Sequence, residues 1–221
     1  MSVSHRLVIF ITLFVTCLIT ANVIAVKIVS LGPFLLPAAI FIFPLSYIFG
    51  DILTEVYGYR LARRVIWLGF LCNLIFVFFV WLGQVLPAAP FWEGQEAYKR
   101  ILGYTPRLLA ASFLGYLAGE FANSFILSKM KIITHGRWLW SRTIGSTIVG
   151  QGLDTSIFIT VAFIGTASFV PIMIFYHWLA KTIIEVLATP ITYAIVNWVK
   201  RREAIDTYDY DTRFNPFLIT N

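Results

Sequence analysis

Six long stretches of mainly apolar residues follow one another along the chain, and short polar segments separate them. A helix needs about 20 apolar residues to cross roughly 30 Å of hydrocarbon. The pattern therefore predicts an all-α fold, a polytopic membrane bundle of six transmembrane helices that forms one integral membrane domain over residues 1–221. The predicted spans cover residues 7–26, 34–53, 65–86, 108–127, 143–167 and 170–199.

The segments outside these spans are short. The first span follows Arg6 as a signal peptide would, but it continues to Lys27 without a cleavage signature, so we predict a retained helix. The longest polar segment, 87–107, mixes aromatic and charged residues and predicts an interfacial helix or an extracellular lid. Residues 203–221 carry mixed charge and predict a flexible cytoplasmic tail.

Composition and charge agree with a membrane protein. Hydrophobic residues make up 59% of the 221 residues, charged residues make up 13%, and the mean hydropathy is +0.81, which excludes an ordinary soluble domain. If the N-terminus is cytoplasmic, twelve of the 17 Lys and Arg lie in cytoplasmic segments, four lie outside and Lys181 lies within a span. This distribution places both termini in the cytoplasm. The net charge of +6 follows from the topology and requires no nucleic-acid partner.

Ionisable side chains interrupt the apolar spans, and they coincide with residues that break helices. Proline and glycine precede Asp51, glycines precede Asp154, and two prolines bracket Lys181 and Glu185. A charge at the centre of a bilayer costs about 3 kcal/mol or more, so such residues face a bundle interior or an aqueous cavity. Glu120 and Asp154 are the best site candidates because each lies well inside its span. Broken helices beside polar groups are common at transporter sites, although each break alone can also reflect bending or close packing.

Helical spacing places the polar residues of a span on one face. Two pairs of these ionisable residues each allow two interpretations. Lys181 and Glu185, four residues apart, form either a structural ion pair or part of a site, and Asp51 with Glu55 forms either a site or an interfacial anchor. The shared faces hold Gln151, Asp154, Thr155 and Phe158 in one span, Glu120, Asn123 and Ser124 in another, and Asp51, Thr54 and Glu55 in a third.

The sequence contains no catalytic or cofactor-binding pattern. His5, His135 and His177 are far apart, a phosphate-binding glycine loop is absent, and no serine lies in a nucleophile motif. Cys17 and Cys72 lie in apolar spans, which favours buried small side chains over a disulfide. We therefore predict a protein that is not an enzyme and that uses no cofactor or metal. Carboxylates and amides among aromatic rings suit a flat, hydrogen-bonding aromatic ligand.

Three motifs resemble those of the queuosine precursor transporters, also called the vitamin-uptake-transporter-like family. They are FPLSYIFGDILTEVYGY at 43–59, GEFANS at 119–124 and QGLDT at 151–155, and the likeness extends over residues 22–200. The resemblance implies a multi-pass protein of the bacterial inner membrane with six helices. It also implies import of 7-deazaguanine precursors of the tRNA modification queuosine: the nitrile preQ0, the aminomethyl compound preQ1, or queuine.

On this resemblance we expect Glu120 and Asp154 to bind the polar edge of the base and an aromatic ring to stack on its face. We expect a secondary carrier, with proton coupling as a further hypothesis. The alternative is a substrate-binding membrane subunit of an ATP-driven energy-coupling-factor importer for a vitamin-like compound. Homodimerisation through Gly115 and Gly119 is one interpretation of that pair, and packing within one bundle is the other. The predicted substrate-binding residues are Asn22, Tyr47, Asp51, Glu120, Asn123, Gln151, Asp154, Phe158, Lys181 and Glu185.

Overall fold

Helices dominate the structure, a computed structural model that describes residues 4–31, 34–103, 106–166 and 169–218. Within these ranges, six of the helices form a bundle and a short one, α4, lies at its surface. The elements are α1 (His5–Ile24), β1 (Ile28–Leu31), β2 (Phe34–Pro37), α2 (Phe43–Tyr57), α3 (Tyr59–Val85), α4 (Gln95–Leu102), α5 (Pro106–Ile133), α6 (Leu139–Phe163) and α7 (Ile172–Glu203).

The six bundle helices confirm the predicted all-α membrane fold. By length and composition, α1, α3, α6 and α7 can each cross a membrane. Helix α2 has only 15 residues, and it contacts α1, α3, α5 and α7. Its residues Asp51, Ile52 and Leu53 are buried, whereas α3 exposes Leu71 and Phe79. Apolar side chains on the outer face and polar ones inside are the arrangement that lipid requires.

The second predicted span differs from the structure at its beginning. Residues 34–37 form a strand that pairs antiparallel with β1 in the register Val29↔Leu36, and a 3-10 turn, Ala38–Phe41, leads into α2 at Phe43. The Ala38 N–H donates to the Lys27 carbonyl at 2.7 Å and closes the hairpin. Apolar content alone does not separate a strand from a helix, which is why the sequence placed this span nine residues too early.

Helices α3, α5, α6 and α7 each extend beyond the predicted spans towards the side where the termini lie. Helix α3 begins at Tyr59, α5 continues to Ile133, α6 begins at Leu139 and α7 continues to Glu203. The additional turns carry Lys and Arg, which an apolar window excludes. Residue 167, the predicted end of the fifth span, and residues 104–105 of the polar segment 87–107 lie outside the described residues.

The C-terminal tail packs against the bundle, whereas the sequence predicted a flexible segment. The Arg63 guanidinium donates to the Arg213 and Asn215 carbonyls at 2.9 and 2.7 Å. The Asp209 carboxylate accepts from the Tyr59 N–H at 2.9 Å and from the Ser128 hydroxyl at 2.6 Å. Asp209 thereby caps the first turn of α3. These contacts tie the described part of the tail, up to residue 218, to α3 and α5.

Helices α5 and α6 approach each other closely through glycine. A Cβ atom at Gly119 would lie 2.8 Å from the Asp154 Cβ, and one at Gly150 would lie 2.8 Å from the Asn123 Cβ. Gly115 also faces α6, because its Cβ would lie 2.9 Å from the Asp154 carbonyl oxygen. The glycine pair therefore packs within one chain, as small residues do at close helix crossings.

Candidate functional site

A cavity lies in the half of the bundle away from the termini. Its lining comes from the end of α1, the start of α2, Asn73 of α3, and residues 112–120 of α5, 154–159 of α6 and 177–181 of α7. Its volume is about 130 Å³, which is large enough to hold water or a small ring compound. Its polar lining residues are Asn22, Ser46, Tyr47, Asn73, Ser112, Tyr116, Glu120, Asp154, Thr155, His177 and Lys181.

Glu120 borders this cavity and has a buried carboxylate oxygen without a donor among the described residues. The residue is 2% exposed, and its Oε2 atom has no hydrogen-bond partner among the described residues. Gly50 of α2 permits this position, because a Cβ atom there would lie 3.3 Å from Oε2. A buried carboxylate oxygen without a donor costs free energy, which a ligand N–H would recover.

Asp154 is paired with Lys181 across the cavity lining. The Lys181 Nζ lies 2.7 Å from the Asp154 Oδ2, and both side chains are 13% exposed. The same ammonium lies 4.4 Å from the centre of the Phe43 ring. The sequence suggested a pair between Lys181 and Glu185 on one helix, but the partner lies on α6. Sequence spacing could not show this contact because it joins residues 27 positions apart.

Asp51 and Asn123 lie behind the cavity, not at the membrane surface. Both residues are fully buried, and the Asn123 amide donates to the Asp51 Oδ1 at 2.8 Å. This burial contradicts the interfacial-anchor interpretation of Asp51. Gln151 and Glu185 border a second, narrower cavity together with Lys181.

The ten predicted site residues thus fall into two groups, according to whether they line the main cavity. Six line the main cavity: Asn22, Tyr47, Glu120, Asp154, Phe158 and Lys181. The other four lie outside that lining: Asp51, Asn123, Gln151 and Glu185.

Several cavity residues were not predicted. Asn73 accepts a hydrogen bond from the Asn22 amide at 2.6 Å, and the Tyr116 hydroxyl donates to the Ile66 carbonyl at 2.9 Å. Ser112 and Tyr116 precede Glu120 by eight and four residues and extend the face of α5 that the glutamate occupies. His177 precedes Lys181 by four residues on α7 and lies on the same helix face. A longer search at four-residue spacing would have found these three, whereas a single Asn inside the third span gives only a weak signal.

On the side where the termini lie, Glu55 joins several elements. Its Oε1 accepts from the Arg142 Nη2 at 2.9 Å and from the Lys200 Nζ at 2.7 Å. The Lys131 Nζ lies 3.6 Å from the same oxygen and also donates to Asp206. The cluster around Glu55 therefore connects α2, α5, α6, α7 and the tail. Its burial contradicts the interfacial-anchor interpretation of this residue as well.

Asp206 is the tail residue of this cluster. Partial burial alone would raise the pKa of its carboxyl group, but hydrogen bonds from Lys131 and Lys200 outweigh that effect and hold the pKa below its ordinary value. Asp206 therefore contributes negative charge to the cluster at neutral pH.

A six-helix membrane bundle that encloses a polar cavity on one side and an ionic cluster on the other defines a multi-pass membrane transport protein. The chain belongs to the family described as "Putative vitamin uptake transporter", whose profile matches residues 37–195. This membership shows a transport protein of the bacterial inner membrane and not an enzyme.

Two curated relatives are similar to the chain. The "Probable queuosine precursor transporter" of Bacillus subtilis (strain 168) is 33% identical over 161 residues, which cover 69% of this chain and 68% of that protein. The "Queuosine precursor transporter" of Escherichia coli (strain K12) is 26% identical over 123 residues, which cover 56% of this chain and 53% of that protein. No solved structure matches the chain.

Proposed function

We propose that the protein imports 7-deazaguanine precursors of queuosine as a secondary carrier and binds them in the main cavity. The observation that carries the proposal is Glu120, a buried carboxyl group on the aromatic-lined main cavity with one oxygen that has no donor among the described residues. The names of the two relatives support the substrate class.

The cavity chemistry matches the donor edge of a 7-deazaguanine. That edge carries a ring N–H beside an amino group, and a carboxylate accepts two parallel N–H bonds well. Glu120 supplies this acceptor, while Asn22 and Ser112 offer further hydrogen-bonding groups on the cavity lining. A hydrogen bond to a charged group contributes about 1.5–3 kcal/mol. Glu120 is therefore the residue that we assign to base recognition.

Aromatic rings provide the apolar walls of the same cavity. Phe43, Tyr47, Phe113 and Phe158 all border it, from α2, α5 and α6. A planar bicyclic base can pack between such rings, and stacking of this kind contributes about 1–3 kcal/mol per base. The combination of one acidic edge and several rings favours a flat nitrogen heterocycle over a sugar or an aliphatic acid.

The positions of the cavity and of the Glu55 cluster suggest an alternating-access cycle. With both termini cytoplasmic, the cavity lies in the periplasmic or extracellular half of the bundle and the cluster around Glu55 closes the cytoplasmic half. Substrate would enter from outside, and release would require Arg142 and Lys200 to separate from Glu55. Such movement of helices around a binding site is the usual mode of secondary transporters.

Substrate counterflow tests the proposal. Liposomes that contain only the purified chain are loaded with unlabelled preQ0, preQ1 or queuine, and entry of the labelled compound is followed. We expect transient accumulation of label with at least one compound and none in protein-free liposomes. Binding without counterflow would overturn the secondary-carrier assignment in favour of a subunit that needs an ATPase. Absence of both would overturn the substrate assignment.

The matched control is Glu96→Gln. Glu96 is exposed on the surface helix α4 and is not part of the cavity lining. The Glu96→Gln substitution makes the same chemical change as Glu120→Gln. Counterflow by the Glu96 variant should equal that of the unmodified chain, whereas Glu120→Gln should reduce it at limiting substrate concentration.

A further inference from the structure

Carboxyl groups outnumber cations in the interior of the described bundle around Tyr47. Asp154, Glu120, Glu185 and Asp51 all act electrostatically on the Tyr47 hydroxyl. Among the described residues, Lys181 is the only Lys or Arg that lines the main cavity, and its ammonium is paired with Asp154. The remaining three carboxyl groups each have a buried oxygen without a hydrogen-bond donor among the described residues. Buried acceptors of this kind need a hydrogen-bond donor, which a ligand, a water or a bound proton can supply.

Glu185 is distinct among these three carboxyl groups. Glu120 borders the main cavity, where we place substrate, and Asp51 accepts a hydrogen bond from Asn123. Glu185 does neither, and it is 3% exposed. It borders the narrow second cavity with Lys181 and with Gln151, whose Oε1 is also buried without a donor. Two residues that each carry an acceptor without a donor among the described residues therefore border one small space.

We propose that Glu185 is the proton-binding site that couples import to the proton gradient, a site that rests on the proposed carrier function and lies beside the substrate cavity. Lys181 is four residues from Glu185 on the same helix face, but its ammonium is engaged by Asp154. Protonation neutralises Glu185. The protonated carboxyl group can then donate a hydrogen bond, and the Gln151 Oε1 is an acceptor on the same small cavity. The loaded chain thus carries one proton and one substrate together.

The shape of the second cavity favours a proton over a metal ion. The space is too narrow to admit a water molecule. No group of three His, Cys, Asp or Glu within the described ranges is arranged to hold a metal ion. A sodium ion needs several oxygen ligands or waters, whereas a proton needs only the carboxyl oxygen. Asp51 of α2 and Glu120 of α5 interact electrostatically with Glu185. Both are acids, so neither can balance a negative charge on Glu185.

Helix α7 can respond to the charge state of Glu185. Pro190 lies inside this helix, five residues after Glu185, and a proline there leaves the carbonyl four residues earlier without its helical hydrogen bond. Bending at this point would move Lys200, which lies farther along α7 and holds Glu55 in the ionic cluster. Protonation beside the substrate could in this way be linked to opening on the cytoplasmic side.

The test measures accumulation of labelled substrate in proteoliposomes with the exterior acidic or with no gradient. With one proton per substrate, each pH unit should raise the accumulation ratio up to about tenfold. Glu185→Gln should retain counterflow and lose this response, and Glu185→Asp, which keeps a carboxyl group, should retain part of it. Glu96→Gln should respond like the unmodified chain.

Each alternative outcome decides a separate point. A gradient response in Glu185→Gln would overturn the assignment of Glu185, and no response in the unmodified chain would overturn proton coupling while its counterflow still supports the carrier. A response to a sodium gradient with choline as the control cation, in place of a pH response, would assign a different ion. Failure of counterflow itself would reject the proposed function. If the Glu185 variants do not fold, the unmodified chain still decides between proton, sodium and uncoupled transport.

Discussion

The Lys181 ammonium lies 2.7 Å from the Asp154 carboxylate and joins α7 to α6 at the edge of the cavity. The contact engages the only Lys or Arg that the described residues contribute to the cavity lining. It leaves Glu120 as the carboxyl group of that lining with a buried oxygen that has no donor among the described residues. Asp154 is thus neutralised by a residue of the protein, whereas Glu120 is available to a ligand.

The Lys181–Asp154 pair should show energetic coupling. Asp154→Asn and Lys181→Met each leave a charge without its partner in a partly buried place, so each should lower the thermal stability of the purified protein. The double variant should lose less than the sum of the single losses, with a coupling free energy of about 0.5–3 kcal/mol. Thermal unfolding of the four proteins in one detergent measures this. Strictly additive losses would contradict the contact.

Glu55 should be the most costly acid to replace. In Glu55→Gln the Arg142 guanidinium and the Lys200 ammonium lose a fully buried partner, and breaking such a pair costs about 3–5 kcal/mol. The apparent melting temperature should fall far more than in Glu96→Gln, where the carboxyl group is exposed. An equal melting temperature for the two variants would show that the cluster does not hold the helices together.

Gly119→Ala should destabilise the crossing of α5 and α6. The new methyl group would lie 2.8 Å from the Asp154 Cβ, and overpacking of this kind costs about 1–3 kcal/mol. Gly152→Ala is the matched control on α6, since the nearest atom to its Cβ, in Trp178, is 3.6 Å away. That variant should be neutral or slightly more stable because alanine favours helix. Similar melting temperatures for the two variants would argue against the close crossing.

The sequence predicted the class of fold well because an apolar stretch of helical length satisfies its own backbone hydrogen bonds in lipid by forming a helix. It located polar residues that lie inside the bundle, but not their partners. Asp154 pairs with Lys181, and Asn123 bonds Asp51, across helix contacts that no local spacing encodes. The paired strands 28–31 and 34–37 were missed because their residues are as apolar as those of a helix.

The tail shows a second limit of sequence reasoning. Its polar composition predicted a flexible segment, yet Asp209 and the carbonyls of Arg213 and Asn215 satisfy donors on α3. Complementarity between a polar segment and distant helix ends cannot be read from composition. Only the positions of Tyr59 and Arg63 in the folded bundle give the tail a place to bind.

Tail attachment should depend on pH through Asp206. Because Lys131 and Lys200 hold the folded pKa of this carboxyl group below its ordinary value, its contribution is complete at neutral pH. The contribution should decline as the pH falls below the unfolded pKa and disappear below the folded one. Hydrogen exchange of residues 205–210 at neutral and acidic pH, corrected for intrinsic rates, measures the effect. Asp206→Asn should weaken protection at neutral pH and remove the pH dependence; an unchanged pH profile would contradict the role of Asp206.

Equilibrium binding of labelled 7-deazaguanines to the purified chain tests the role of the cavity most directly. Loss of a hydrogen bond to the Glu120 carboxylate should cost about 1.5–3 kcal/mol, so Glu120→Gln should bind roughly 10-fold to 150-fold more weakly than the unmodified chain. Glu96→Gln should bind normally. A correctly folded Glu120→Gln protein with unchanged affinity would contradict the assignment of this cavity to base recognition.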